Sequence, residues 1–204
     1  SATFEKPEVQ YRETVAKTVI GYGHYEPLRH YAEVVLEIAP AERNSGITFD
    51  STVHIDVLSA NYQALVKTHI FEKQHKGILT GSPLTDVKIT LINGRAHLKH
   101  TEGGDFRQAT YRAIRQGLEK AENVILEPFY AFEIYAGEEY AGRIMTDIQR
   151  LRGSFEPPVQ MGNTYKINGR GPVETFMDYQ EELLSFTKGT GSIVMTVDGY
   201  EKCE

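Results

Sequence analysis

The sequence predicts an α+β fold in two consecutive domains, residues 1–122 and 123–204, and three observations carry that reading. Runs with apolar residues at alternate positions are interleaved with runs whose apolar residues fall three and four apart. The pattern restarts after Asn123, where a new strand-like run begins. The composition, 204 residues of which 40% are apolar and 25% charged, suffices for two small cores.

Taken in order, Val9, Tyr11, Thr14 and Val15 mark an extended first segment. Leu28 to Pro40 is rich in β-branched and aromatic residues and stops at a proline, and Gly46 to Asp56 alternates as a half-buried strand does; these two strands are expected to pair. Leu58, Tyr62, Leu65, Val66, His69 and Ile70 line one face of a helix that should end near Gly77. Thr85 to Ile92 puts Val87, Ile89 and Leu91 on one face of a strand. Asp105, with Gln108 three residues on, has the spacing of a capping box for a helix carried by Phe106, Ala109, Ala113, Ile114, Gly117 and Leu118.

Beyond a boundary near Ala121 to Leu126 come a strand over Glu127 to Ala136 and a helix over Gly137 to Gly153. Strands over Ser154 to Gln160 and Thr164 to Arg170 follow, then a helix over Pro172 to Gly189 and a strand over Ser192 to Tyr200. The order βαββαβ is the split unit of ferredoxin-like folds. Its first helix is acidic at the start (Glu138, Glu139), basic at the end (Arg150, Arg152) and closed by Gly153, as the helix dipole and a C-terminal cap favour.

No run approaches the roughly eighteen apolar residues of a membrane span, and no basic-then-apolar segment opens the chain, so a cytoplasmic protein is expected. Ser1-Ala2 reads as a cloning remnant, and the abrupt start suggests a piece of something longer. A single cysteine, Cys203, excludes an internal disulfide and a thiolate metal cluster. The net charge of -6 argues against a protein wrapped in nucleic acid, yet a local basic end could still touch phosphates within the short reach that salt permits.

The phosphate-binding pattern GxxxxGK followed by Ser or Thr is absent, as are HExxH and GxSxG. The glycines around Gly169 and Gly191 read as turns. The pairs His24/His30, His69/His75 and His97/His100 do not share helix faces at the spacing zinc favours; His69 reads as a core-edge helix residue, His24 and His30 as loop residues. Glu138/Glu139 and Glu181/Glu182 read as solvated faces. What stands out is Arg95, His97, Lys99 and His100, gathered in a connection just before a helix. Such a loop is either a polar turn kept soluble by its charges or an RNA contact, with cations on phosphates and imidazoles on exposed bases. A histidine-metal hydrolase on His97 and His100, or a module that binds protein, are alternatives of other classes.

The order of short motifs favours RNA. "KPEVQYRET", "GSPLTDVKITLINGRAH", "ILEPFYAFEIYAGEEYAGRIMTDIQRLRG" and "GTGSIVM" resemble the last two domains of elongation factor G and its relatives, over Lys6 to Tyr200. There the motifs run close to KPxVAYRET, GxPVVDVKVTLxDGSYH, ILEPIMxVEVxTPEEYMGDVIGDLNxRRG and GRGSFxM. The resemblance implies the C-terminal part of a translational GTPase: domain IV, βα-rich with a left-handed βαβ crossover, an exception to the usual hand, then a ferredoxin-like domain V. GTP and magnesium would belong to the G domain, leaving this part without cofactor or catalytic residue. "HYEPLRHYAEVVLEIAP" and "GGDFRQA" resemble the tetracycline-resistance ribosomal protection proteins of the TetM and TetO type more than elongation factor G, which has QYGHV and SSEMAFK. Two features depart from that branch: a Tyr-Ser-Pro-Val-like sequence stands there in place of His97, Leu98, Lys99 and His100, and those proteins end in a further helix. His97 instead matches a histidine of elongation factor G, so a paralogue acting in translocation is the alternative.

The implied partner is the ribosome, met by a monomer with no membrane involved. Two loops, Tyr22 to His30 and Asn93 to Gly103, would reach small-subunit ribosomal RNA at the decoding centre. Arg29, Arg95 and Lys99 would contact phosphates, His97 and His100 would contact or stack on bases, Leu98 would act as an apolar wedge, and His30 would belong to the same RNA-binding end. Arg143, Arg150 and Arg152 of domain V would face large-subunit RNA near the GTPase-activating region.

Overall fold

The computed structural model describes residues 9–204; the Ser1-Ala2 reading and the first residues of the KPEVQYRET motif lie outside them. The chain forms two compact units, one of Tyr11–Leu126 joined by Cys203 and Glu204, the other of Glu127–Lys202 joined by residues 9–10.

The first unit comprises β1 (Arg12–Val15), β2 (Val19–Tyr25), β3 (Ala32–Pro40), β4 (Ile47–Ser51), α1 (Ala60–Phe71), β5 (Val87–Ala96) and α2 (Gly103–Lys120). Four strands form a sheet in the order β2-β3-β5-β4, antiparallel except for β4 beside β5. The expected direct pairing of the strands around Leu28–Pro40 and Gly46–Asp56 is therefore wrong, because β5 lies between β3 and β4. Alternation fixes which residues face a core but not which strand comes alongside. Asp86, just before β5, anchors the connection between β3 and β4. Its carbonyl accepts from Ala41 N–H at 2.9 Å, and its buried carboxylate accepts from the Asn44 and Gly46 amides, both at 3.0 Å, and from Arg43 at 3.2 Å. The β3–β4 connection is thus wrapped around the residue that precedes β5, and α1 carries the crossover between the parallel strands.

The core is built from Ala32, Val34, Leu36 and Ile38 of β3, Val87, Ile89 and Leu91 of β5, and the inner faces of α1 and α2. β2 is the strand that the sequence reading missed. Its two central inward positions, Gly21 and Gly23, carry no side chain because the backbone of α2 lies directly on them, and only Val19 and Tyr25 at its ends pack apolar groups on the core. An added Cβ on either glycine would collide with a helix carbonyl, that of Ala113 or that of Ala109. α1 is capped by the Ser59 hydroxyl, which accepts from Tyr62 N–H at 3.4 Å. It stops at Phe71 rather than near Gly77, since the buried His75 turns back and its Nε2 donates to the Ile70 carbonyl at 2.9 Å. Just past α1, the Glu72 carboxylate accepts from Arg107 Nε at 3.0 Å and from the Tyr111 hydroxyl, both on α2, and meets His69 Nδ1 at 3.0 Å. Arg107 foremost, then Tyr111, pulls its pKa down to about 2.

Glu13 of β1 is another buried carboxylate with a structural task. It accepts from the Leu79 and Thr80 amides at 2.8 and 2.9 Å, the Thr80 hydroxyl at 2.7 Å and the Ser82 amide at 3.1 Å, holding the loop before β5. Burial alone would raise its pKa, but the Thr80 hydroxyl and the three amides outweigh burial and leave it below the carboxylate value of 4.5. A pKa lowered by folding contributes stability that is complete above the unfolded value and drains as the pH falls through the folded one. Glu13→Gln is expected to lose about 1–3 kcal/mol at neutral pH. The gap between variant and wild type should close as the pH drops below about 4.5. Urea denaturation at a series of pH values checks this; a gap that does not change with pH would refute it.

The second unit comprises β6 (Asn123–Gly137), which the chain enters from the first unit, α3 (Ala141–Arg150), β7 (Ser154–Phe155), β8 (Val159–Met161), β9 (Thr164–Pro172), α4 (Val173–Phe176), α5 (Tyr179–Phe186) and β10 (Ser192–Lys202). β10 flanks β6, β6 pairs antiparallel with β9 from Phe129 onward, and β7 and β8 pair with β9. This is the ferredoxin-like order that βαββαβ implies, over a core of Phe132, Ile134, Ile144, Ile148, Ile167 and Phe176.

Local departures have local causes. The strand expected over Ser154 to Gln160 is split around Pro157 and Pro158, which have no N–H for a ladder. The helix expected over Pro172 to Gly189 breaks between Phe176 and Tyr179. Gly169 is not in a turn: it lies inside β9, where a Cβ would meet the Ser154 carbonyl and sit 2.6 Å from the Phe132 ring. At the end of α3 the left-handed residue is Arg152, with φ 63°, not Gly153. The Arg152 amide donates to Gln149 at 3.1 Å and the Gly153 amide to Ile148 at 2.8 Å, the paired bonds of a Schellman cap. Gly153 is instead required for space, because a Cβ there would lie 2.8 Å from the Phe176 ring.

Candidate nucleic-acid interface

At one end of the first unit's sheet, the β2–β3 connection (residues 26–31) and the β5–α2 connection (residues 97–102) meet. Both are shorter than the loops expected over Tyr22 to His30 and Asn93 to Gly103, since β2 runs to Tyr25, β5 to Ala96, and α2 begins at Gly103. His24 is accordingly a strand residue rather than a loop residue.

Thr101 ties the loops together. Its hydroxyl donates to the Tyr31 carbonyl at 2.7 Å and accepts from His97 N–H at 2.6 Å. Asp105, buried in the first turn of α2, does the rest. Its Oδ2 accepts from Glu102 N–H at 2.8 Å and from Tyr31 N–H at 3.4 Å, while His30 Nδ1 donates to Oδ1 at 2.8 Å. The capping box therefore joins Glu102 to Asp105, not Asp105 to Gln108, because the helix starts earlier than its apolar stripe. The first loop is closed by His30 N–H on the Pro27 carbonyl at 2.9 Å and passes through Arg29 in a left-handed conformation, φ 64°.

Braced in this way, the two loops and the end of β5, which carries Arg95 as a strand residue rather than a loop residue, hold out a cluster of side chains. Arg29, Arg95, His97, Lys99 and His100 are exposed, and Leu98 is wholly so. His97 and His100 stack with ring centroids 4.6 Å apart and planes at 17°. Lys99 N–H donates to His97 Nδ1 at 3.2 Å, so a neutral His97 carries its proton on the outward Nε2. Tyr31 lies behind, 6.4 Å from the His97 ring and 5.5 Å from that of His24, with the Arg95 guanidinium 5.9 Å from its own centroid. Of the predicted residues at this end only His30 has another task, since its bond to Asp105 fixes the first loop to α2. Leu28, expected as the first residue of a strand, instead lies in the first loop, 89% exposed beside Arg29, because β3 starts only at Ala32.

The second-unit arginines are differently placed. Arg143 Nε meets Asp147 at 3.2 Å and its guanidinium lies 4.3 Å over Phe186; Arg150 meets Glu182 at 2.8 Å and Asp147 at 3.4 Å. Tyr179 donates to Asp147 at 2.8 Å, so these pairs clamp α3 to α5, and Glu182 is a partner rather than a free solvated carboxylate. Arg152 meets Glu127 at 3.1 Å. Each already spends part of its charge on a carboxylate, so a phosphate would be shared with that partner or would replace it. Among the described residues, no three or more His, Cys, Asp or Glu converge as a metal site, and no helix is long and apolar enough to cross a membrane.

Comparison with known proteins agrees with this architecture. Residues 7–122 match the family described as elongation factor G, domain IV, and residues 124–204 the family described as elongation factor G C-terminus. A crystal structure of a protein from Thermus thermophilus superposes with a TM-score of 0.89 at 28% identity, over 98% of this chain and 31% of that one. The chain thus spans under a third of the length of that protein. With both units accounted for, the chain belongs to the elongation factor G family, carrying its domain IV and its C-terminal domain.

Proposed function

We propose that this chain is the ribosome-binding C-terminal part of a translational GTPase, whose domain IV end contacts small-subunit ribosomal RNA at the decoding centre. The supporting observation is the pair of loops cross-braced by Thr101 and Asp105, which with the end of β5 present Arg29, Arg95, Lys99 and two stacked imidazoles on fixed supports. Cations on such supports neutralise phosphate, and the exposed histidine rings and Leu98 offer faces to bases. The hydrolytic site would lie in the G domain, with GTP and magnesium, and this part acts by binding alone. The protein would work in the cytoplasm, where ribosomes are.

Within the family, the stretches around His24 to Pro40 and Gly103 to Ala109 favour ribosomal protection against tetracycline. Occupancy of the decoding centre incompatible with bound drug would shift the equilibrium toward drug-free ribosomes. Arg143, Arg150 and Arg152 would brace the second unit against large-subunit RNA by exchanging Asp147, Glu182 and Glu127 for phosphates. Expression of the full-length protein in tetracycline-sensitive cells tests the choice: protection without rescue of an elongation factor G defect supports it. Rescue without protection assigns the protein to translocation instead.

A further inference from the structure

The apolar, even-numbered residues of β3 face the helices, so Glu33 points to the helix-free side of the sheet. Register places His24, Glu33 and Arg95 side by side across β2, β3 and β5. The strands are offset just beyond this row, where Val35 pairs with Asn93 and Leu36 with Leu91, leaving Ile92 as a bulge that twists the end of the sheet. With the second loop, the row forms a cleft lined by Tyr31, Glu33, Arg95, His97 and Lys99.

This cleft is chemically mixed. A bare phosphate would be drawn to Arg95 and Lys99 but repelled by Glu33 and by Glu26, which sits 2.9 Å from His24 Nε2. An uncharged ring would leave the cations unused. The lining asks for one ligand with an anionic end, a flat face and an edge of hydrogen-bond donors. Glu33 accepts one bond, from the Tyr31 hydroxyl at 2.7 Å, and a carboxylate has about four acceptor positions, so it retains capacity for two parallel donors. Guanine presents N1–H and N2–H side by side on its Watson–Crick edge, whereas uracil has a single imide N–H and adenine and cytosine a single amino group.

We propose that this cleft is a subsite for one unpaired guanine nucleotide of RNA, with its donor edge on Glu33, its ring against the Tyr31–His97 wall and its phosphates on Arg95 and Lys99. The proposal rests on the reading that this end touches RNA and adds base selectivity to it. Glu33 is then a specificity residue that lowers affinity for every other base, since its charge repels phosphate wherever no donor pair meets it.

The test is fluorescence anisotropy of the whole chain with short labelled oligouridines carrying guanosine, inosine, adenosine or uridine at the centre, at low salt. Guanosine is expected to bind about tenfold tighter than uridine, the scale of one bidentate base contact, with inosine, which lacks the N2 amine, in between. Glu33→Gln should abolish the preference and leave uridine binding equal or tighter. The inosine arm uses the unaltered protein, so the outcome stands even where the variant misfolds. Equal binding of all oligomers, or a preference that survives in folded Glu33→Gln, overturns the guanine subsite while leaving the RNA reading intact. Absence of binding to any oligomer overturns both.

Discussion

Gly23→Ala is expected to abolish the cooperative unfolding transition of the first unit at room temperature. The added Cβ would land on the Ala109 carbonyl oxygen and 2.6 Å from the Ala113 amide nitrogen, both of them helix backbone that no rotamer change can move aside. α2 would have to lift as a whole, and with it Phe106, Ala109, Ala113 and Leu118, all of them fully buried. Overpacking of side chains costs about 1–3 kcal/mol; displacement of an entire core helix should cost more than about 4 kcal/mol, most of the stability of a small domain. Gly104→Ala is the matched control, because a Cβ there meets nothing within 4 Å and replaces glycine inside a helix. That variant should be neutral or stabilising by up to about 1 kcal/mol. Urea titrations followed by circular dichroism compare the two. Midpoints that agree would mean that α2 does not rest on β2.

The second large effect is expected in binding. Reversing two charges in Arg95→Glu/Lys99→Glu should lower the affinity for small ribosomal subunits at least tenfold in a pelleting assay. Both side chains are exposed, Arg95 on β5 and Lys99 on a loop held by Thr101 and Asp105, so the fold should be kept. Each reversal removes a charge-assisted contact of about 1–2 kcal/mol and adds repulsion from phosphate. Lys67→Glu, the same reversal at one exposed position of α1, outside the two loops and the end of β5, should leave binding within about twofold because salt screens charges remote from the contact. Equal losses in both variants would mean that binding follows net charge and not this end of the unit.

Much of this molecule can be read from its residues, and the unread parts share a physical origin. The alternation of Val34, Leu36 and Ile38, and the βαββαβ order after Asn123, follow from side-chain periodicity, which is local. β2 escapes that reading because its two central inward positions, Gly21 and Gly23, are packed on helix backbone, leaving only Val19 and Tyr25 at its ends to mark the buried face. The insertion of β5 between β3 and β4 is not local: Asp86 anchors their connection by reaching back to Asn44 and Gly46, contacts between residues 42 and 40 positions apart. The basic cluster was visible as residue types, and its family resemblance supplied the partner. Its bracing was not visible: His30 to Asp105 and Thr101 to Tyr31 join residues 75 and 70 positions apart, and they decide that His30 supports the loop while His97 and His100 face outward. Gly153 and Gly169 show the converse error, since glycine suggests a turn when the actual demand is room for Phe176 and Phe132.

The proposed contact joins cations fixed at one end of the first unit to RNA phosphates. The salt dependence of small-subunit binding by this chain measures that most directly. With about 0.7 counterion released per phosphate, roughly three to five phosphate contacts around Arg29, Arg95 and Lys99 predict that the logarithm of the binding constant falls against the logarithm of salt with a slope of about two to four. A slope near zero would contradict it.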